Sequence, residues 1–171
     1  MLTITFYPES DRIEFIEATT AYQRIWDNDG TKILETIMKI SSLSFAEHYI
    51  NALIFEGISF SNPLMLRASY PEQVKRGTLI HELCHRLLVE NNINVIGQDR
   101  EIGQLLTHKY VNLILFDIFS DLYGQGFAEE MVSVESARRP FYRVAWEWAL
   151  SLSREERAQK FLAIRNGDSL E

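Results

Sequence analysis

The segment RGTLIHELCHRLLVENN, residues 76–92, sets two histidines four positions apart around a glutamate. On an α-helix such positions lie about 40° apart around the axis and one turn apart along it, so His81 and His85 project side by side. Two imidazoles placed like this can reach one zinc ion at about 2.0–2.1 Å each. Glu82 stands about 100° around from His81, too far to bind the ion in the same way, but its longer side chain reaches a water held there. That is the mechanical content of His-Glu-x-x-His: two ligands and a carboxylate that takes a proton from the water. The bland reading is an amphipathic core helix that happens to carry these residues. With only four histidines in the chain, two of them in one turn favour the metal.

The motif works only on a helix, and its context supplies one. Ser69, Tyr70, Pro71 and Glu72 read as a capping box with proline in the first turn, and Asn91 and Asn92 offer an end. Ile80, Leu83, Cys84 and Leu87 form an apolar stripe that would hold the helix in a core, leaving Thr78, His81, His85 and Leu88 along another edge. Cys84 falls on the apolar side, so it reads as a small buried residue and not as a nucleophile.

The chain has 171 residues, 46% of them apolar, which suits one domain, 1–171, with a single core. Its 24 acidic and 17 basic residues give a net charge of −7 with no Lys/Arg stripe, so a nucleic-acid partner is not expected. One cysteine excludes an internal disulfide and a multi-cysteine zinc module, and fits a reducing compartment. The opening MLTITFYPES lacks the pattern of a secretory signal, and no stretch reaches the roughly 20 apolar residues of a membrane span. A cytoplasmic protein without membrane contact is the expectation.

LTITFY alternates as a strand should and ends at Pro8. Asp11 and Glu14 can cap a helix that carries Ile13, Ile16, Tyr22, Ile25 and Trp26, and DNDG at residues 27–30 reads as a turn that breaks it. That tetrapeptide resembles part of a calcium loop, but Thr36 stands where the ligating glutamate belongs. Thr31 can then cap a second helix with Ile33, Leu34, Ile37, Met38 and Ile40. YINALIFEGISFSNPLMLRAS reads as two or three strands that include a hairpin. After the motif helix, further helices are expected from about Glu101 to Tyr123, stopped by Gly124 and Gly126; from Pro140; and from the capping box of Ser153 and Glu156 to Gly167. The class is α+β with helices in the majority.

TLIHELCHRLL resembles the active-site helix of zincin metallopeptidases, in wording closest to the small cytosolic SprT-like and ImmA/IrrE-like zincins. The resemblance implies a minimal zincin-like fold, in which a small sheet packs on the active-site helix and further helices follow. It implies zinc held by His81 and His85, Glu82 as catalytic general base, and an edge strand within Ile58 to Arg67 that binds an extended peptide. The glycine and third histidine of the metzincins are absent, because Leu88 and Asn91 occupy their places. The glutamine and cysteine signatures of peptide deformylases are absent as well.

A catalytic zinc needs a third protein ligand. His108 lies 23 residues beyond His85, with Asn112 one turn later on the same face. Thermolysin-like zincins place a glutamate ligand at a similar interval and an aspartate one turn on, so His108 and Asn112 would stand there with changed residue types. Asp117 is the alternative. About nine residues turn a helix half a revolution beyond two full ones, so His108 and Asp117 face opposite ways and cannot share an ion. Histidine is the commoner zinc ligand and the shorter interval suits an antiparallel return, which favours His108. A buried Asp117 would need a neutralising partner, with Arg86, Arg139 and Arg143 as candidates. Glu129, Glu130 and Glu135 read as carboxylates on or near a loop, solvated or capping helices, and stand as outside candidates for the third ligand. Tyr70, Tyr110, Tyr142 and His48 are available to stabilise an oxyanion, and no spacing selects among them.

These residues point to a zinc-dependent hydrolase, a metallopeptidase acting on a peptide or protein substrate. The competing class is a non-catalytic zincin-like module with a structural metal and a binding or regulatory surface. Glu82 favours catalysis, because a structural site has no use for a carboxylate beside an open coordination position.

Overall fold

A computed structural model describes residues 2–93 and 100–168 of the chain. Among these residues the order is β1 (Thr3–Pro8), α1 (Ile13–Ser41), β2 (Tyr49–Phe55), β3 (Leu64–Arg67), α2 (Glu72–Glu90), α3 (Arg100–Tyr123), α4 (Gln125–Ser136), α5 (Pro140–Leu150) and α6 (Arg154–Arg165). Mixed α and β structure with a helical majority is the expected class. The backbone packs as two compact units, residues 1–35 with 44–90 and residues 36–43 with 91–171. None of the described helices is long and apolar enough to cross a membrane.

The first unit is built on a three-stranded sheet of order β1-β2-β3, parallel throughout. Period-two alternation sends Ile4, Phe6, Ile50, Ala52, Ile54, Leu64 and Leu66 to a buried face, while Thr3, Thr5 and Tyr7 stay exposed. Helix α1 provides the crossover that a parallel β1–β2 pair requires, and its Tyr22 ring stacks on Phe6 with centroids 6.0 Å apart. Between β2 and β3 the chain doubles back: Phe60 pairs antiparallel with Met65 before β3 begins its parallel run along β2. The expected hairpin survives as this one bridge, with both backbone bonds at 2.9 Å.

Two boundaries differ from expectation. DNDG does not interrupt α1, which runs unbroken from Ile13 to Ser41. Tyr22, Ile25, Ile33, Leu34 and Ile37 are all buried at helical spacing, so the packed stripe outweighs the weak propensities of Asp, Asn and Gly. Gly30 also has a packing reason, since a Cβ there would stand 2.8 Å from the Trp26 ring. At α2 the expected capping box is not formed. The Ser69 hydroxyl donates to Glu56 and accepts from Arg67 Nε, both at 2.9 Å, and the helix begins at Glu72.

In the second unit α3 carries Val111, Leu113, Ile114, Leu115, Ile118 and Phe119 fully buried around its circumference, the mark of a central helix. Helices α4, α5 and α6 pack against it. Gly124, at φ 87°, turns the chain directly from α3 into α4, so residues 125–136 are helix and not loop. Glu129 and Glu130 are exposed, but Glu135 is buried and accepts the Trp146 Nε1–H at 2.9 Å. Pro140 opens α5, and Ser153 with Glu156 forms the expected reciprocal box at α6.

Candidate metal centre

Helix α2 is a rigid platform. Leu79, Ile80, Leu83, Cys84 and Leu87 are inaccessible to solvent, which fixes the helix along one side. At its start Lys75 is buried and donates to the carbonyl oxygens of Ala68, at 2.6 Å, and Tyr70. Burial pushes this amine below the usual lysine range, against the opposing pull of Glu72 and Glu56. Toward the other end Arg86 pairs with Glu47 and Glu90 and donates to the Ser61 carbonyl at 2.7 Å. Arg86 therefore ties the loops before β2 and before β3 to the helix that carries the motif.

On this platform His81 and Glu82 are buried and His85 is half-buried. The Nε2 atoms of His81 and His85 stand 2.9 Å apart, so the pair can share one proton or one cation and cannot both carry a hydrogen on that nitrogen. Two nitrogens on one tetrahedral zinc are about 3.3–3.4 Å apart, close to the separation seen. The ring planes are tilted by 48°, which leaves the two lone pairs converging instead of stacking the rings face to face.

His108 is buried on α3. Its Nδ1 lies 2.7 Å from the carbonyl oxygen of Gln104. A carbonyl only accepts, so Nδ1 carries the hydrogen, and in the neutral ring Nε2 then holds the lone pair a metal ligand needs. Tyr142 meets the His108 ring edge-on at 4.3 Å between centroids, and Phe141 lies at 5.2 Å, so two aromatic rings limit its rotation. His81 and His85 belong to the first unit and His108 to the second. The paired imidazoles of the first unit fit zinc, and His81 and His85 are the residues there that would hold it.

Asp117 is committed elsewhere. Its two oxygens accept from Arg157, at 2.7 Å from Nη2 and 3.0 Å from Nε, in a buried fork. The neutralising arginine is Arg157, with Arg154 Nε at 3.9 Å, in place of the expected Arg86, Arg139 or Arg143. Of the possible oxyanion donors, Tyr142 packs on His108, and Tyr70 lies under the Arg67 guanidinium at 5.4 Å. The outer rim of β3 is also occupied, because Phe60 takes the N–H and C=O of Met65 and the Ser59 hydroxyl accepts the Arg67 N–H at 3.2 Å. The backbone that covers β3 on that flank is therefore the short stretch around Ser59 and Phe60. No family model, no curated protein and no solved structure matches this chain.

Proposed function

We propose that this chain is a small cytoplasmic zinc-dependent hydrolase, a metallopeptidase that cleaves peptide bonds in a peptide or protein substrate. The observation that carries the reading is the convergent Nε2 pair of His81 and His85, 2.9 Å apart on a buried helix with Glu82 between them. His108 is taken as the third ligand: with its Nδ1 directed at the Gln104 carbonyl, the neutral ring presents Nε2 as a donor to the metal. Zinc, when bound, supplies a Lewis acid that makes water a nucleophile near neutral pH and polarises the scissile carbonyl. Glu82 receives the proton of the attacking water on a carboxylate oxygen and passes it to the leaving nitrogen. Its burial keeps bulk water from competing for that proton. Arg86 holds the Ser61 carbonyl beside the motif helix, which fixes the flank of the sheet along which an extended substrate would lie. The lone buried Cys84 agrees with a reducing compartment.

The test compares wild type with Glu82→Gln, both loaded with zinc, for metal content and for cleavage of a diverse peptide library. Equal zinc in the two proteins, with cleavage by wild type only, is the expected result. Zinc in both and cleavage by neither would replace the enzyme with a metal-stabilised binding module.

A further inference from the structure

The sheet of the first unit is finished on one face and open on the other. Parallel sheets are normally covered on both sides, because their crossovers lay helices against them. Here one face is buried, while the residues that point to the other are exposed or half-buried in all three strands. The register sets Tyr7 beside Leu53 and Leu53 beside Met65, and the antiparallel bridge adds Phe60 beside Met65. Paired positions point to the same face, so these side chains form an apolar row across the strands, about 14 Å long at about 4.8 Å per strand. Its ends are open, Tyr7 at 48% and Phe60 at 52% exposure. The neighbouring Phe55 is treated differently: a Cβ at Gly57 would stand 2.3 Å from its ring, so the turn after β2 lies on it. The fold covers that ring with its own backbone and leaves the row bare.

We propose that this row docks one short amphipathic α-helix of a partner protein, its apolar stripe flanked by lysine or arginine. A helix repeats its apolar positions about every 5.4 Å along the axis, close to the strand spacing, so side chains at i, i+4 and i+7 of a helix laid along the row fall between successive strands. Helices are also the layer that covers parallel sheets. A second copy of this chain fits less well. The open face measures about 14 by about 20 Å, and a twofold allowance for side-chain relief gives roughly 600 Å², below the ~800 Å² per partner of a standard interface. An added strand meets Phe60 on the β3 flank, which already takes the N–H and C=O of Met65. Charge selects a basic partner: the chain carries −7, Glu9 is exposed where its N–H extends β1 to the Ile54 carbonyl, and Arg67 on this face is paired with Glu56 at 2.6 Å. Nothing in this surface depends on zinc.

The experiment titrates the full chain into two labelled helical peptides of about 13 residues and reads fluorescence anisotropy. Both carry leucine at i, i+4, i+7 and i+11; lysines flank the stripe in one and glutamates in the other. Wild type should bind the lysine peptide at least about fivefold more tightly at low salt, with the gap closing as salt is added. Tyr7→Thr combined with Phe60→Thr, which keeps strand-forming residues at both sites, should weaken the lysine peptide by about tenfold or more. Tyr49→Thr, on the same face but outside the row, should change binding by less than about twofold. If the double variant does not fold by circular dichroism, Leu53→Thr at the centre of the row should give a loss of the same sign. No binding by wild type, equal affinity for the two peptides, or equal binding by wild type and the row variants would overturn the proposal. A wild-type dimer in sedimentation that the row variants dissolve would also overturn it, by giving the face to a second copy.

Discussion

Two turns of α3 each bury a polar side chain, and they treat it in opposite ways. Around Asp117 every demand is met: Arg157 forks onto both oxygens, and Arg157 Nη1 also donates to the Leu152 carbonyl at 2.7 Å. Around His108 and Asn112 the histidine Nδ1 faces the Gln104 carbonyl, while the amide has no hydrogen-bond partner among the described residues. A satisfied buried charge is explained by the fold that satisfies it. A buried amide without such a partner is a position where the fold alone does not account for the residue. The contrast marks the two turns as different in how completely the surrounding packing satisfies them.

The strongest way to break the contrast is to remove ligands from one end and the acid from the other. His81→Ala, His85→Ala or His108→Ala should each abolish stoichiometric zinc, measured by elemental analysis after gel filtration, while Asp117→Ala should keep it in whatever fraction folds. Zinc lost with Asp117 and kept without His108 would reverse the assignment of the two ends. Next in size is stability. Arg157→Met strands a buried carboxylate and should cost about 3–5 kcal/mol in denaturant unfolding, with zinc per folded molecule unchanged.

Smaller effects sharpen the picture of the surrounding scaffold. Gly30→Ala gains about 1 kcal/mol of helix propensity but drives a methyl into the Trp26 ring, so a net loss below about 1 kcal/mol is expected from thermal unfolding. The smallest effect concerns Asp121, whose carboxyl is held below the usual carboxylate range chiefly by hydrogen bonds from Arg154, with help from the Arg154 and Lys39 charges. Because the folded value lies below the unfolded one, this carboxylate's stabilisation is complete above about pH 4 and is lost as pH falls through the folded value. Asp121→Asn should flatten that part of the acid limb in a stability–pH titration.

What could be read from the sequence follows from how local each signal is. The motif helix, the proline start of α5 and the box at Ser153 and Glu156 are each written within a few residues, and they stand where expected. The continuity of α1 was not legible, because DNDG is a local turn signal overruled by a buried stripe that joins Ile25 to Ile33. Helix α4 was hidden by the two glycines before it: only Gly124 takes a positive φ, and Gly126 is simply helical. The partner of Asp117 lies 40 residues away on α6, a distance over which spacing carries no information. His108 was favoured over Asp117 on ligand chemistry and interval, but its pre-set tautomer depends on Nδ1 reaching the Gln104 carbonyl, which only coordinates reveal. The candidate residues were thus readable from type and spacing, and the partners that hold Asp117 and the His108 ring were not.

The bridge between Phe60 and Met65 also shapes how these molecules meet in a crowded solution. With the outward groups of Met65 and Arg67 already engaged, a neighbouring chain finds little template for adding a strand on that flank. On the opposite flank Thr3 and Glu9 turn their N–H groups toward β2, so by alternation Pro8 faces outward with no hydrogen to offer. Both borders of this small sheet thus discourage runaway strand recruitment, a safeguard that matters most while a newly made or half-unfolded chain is looking for partners.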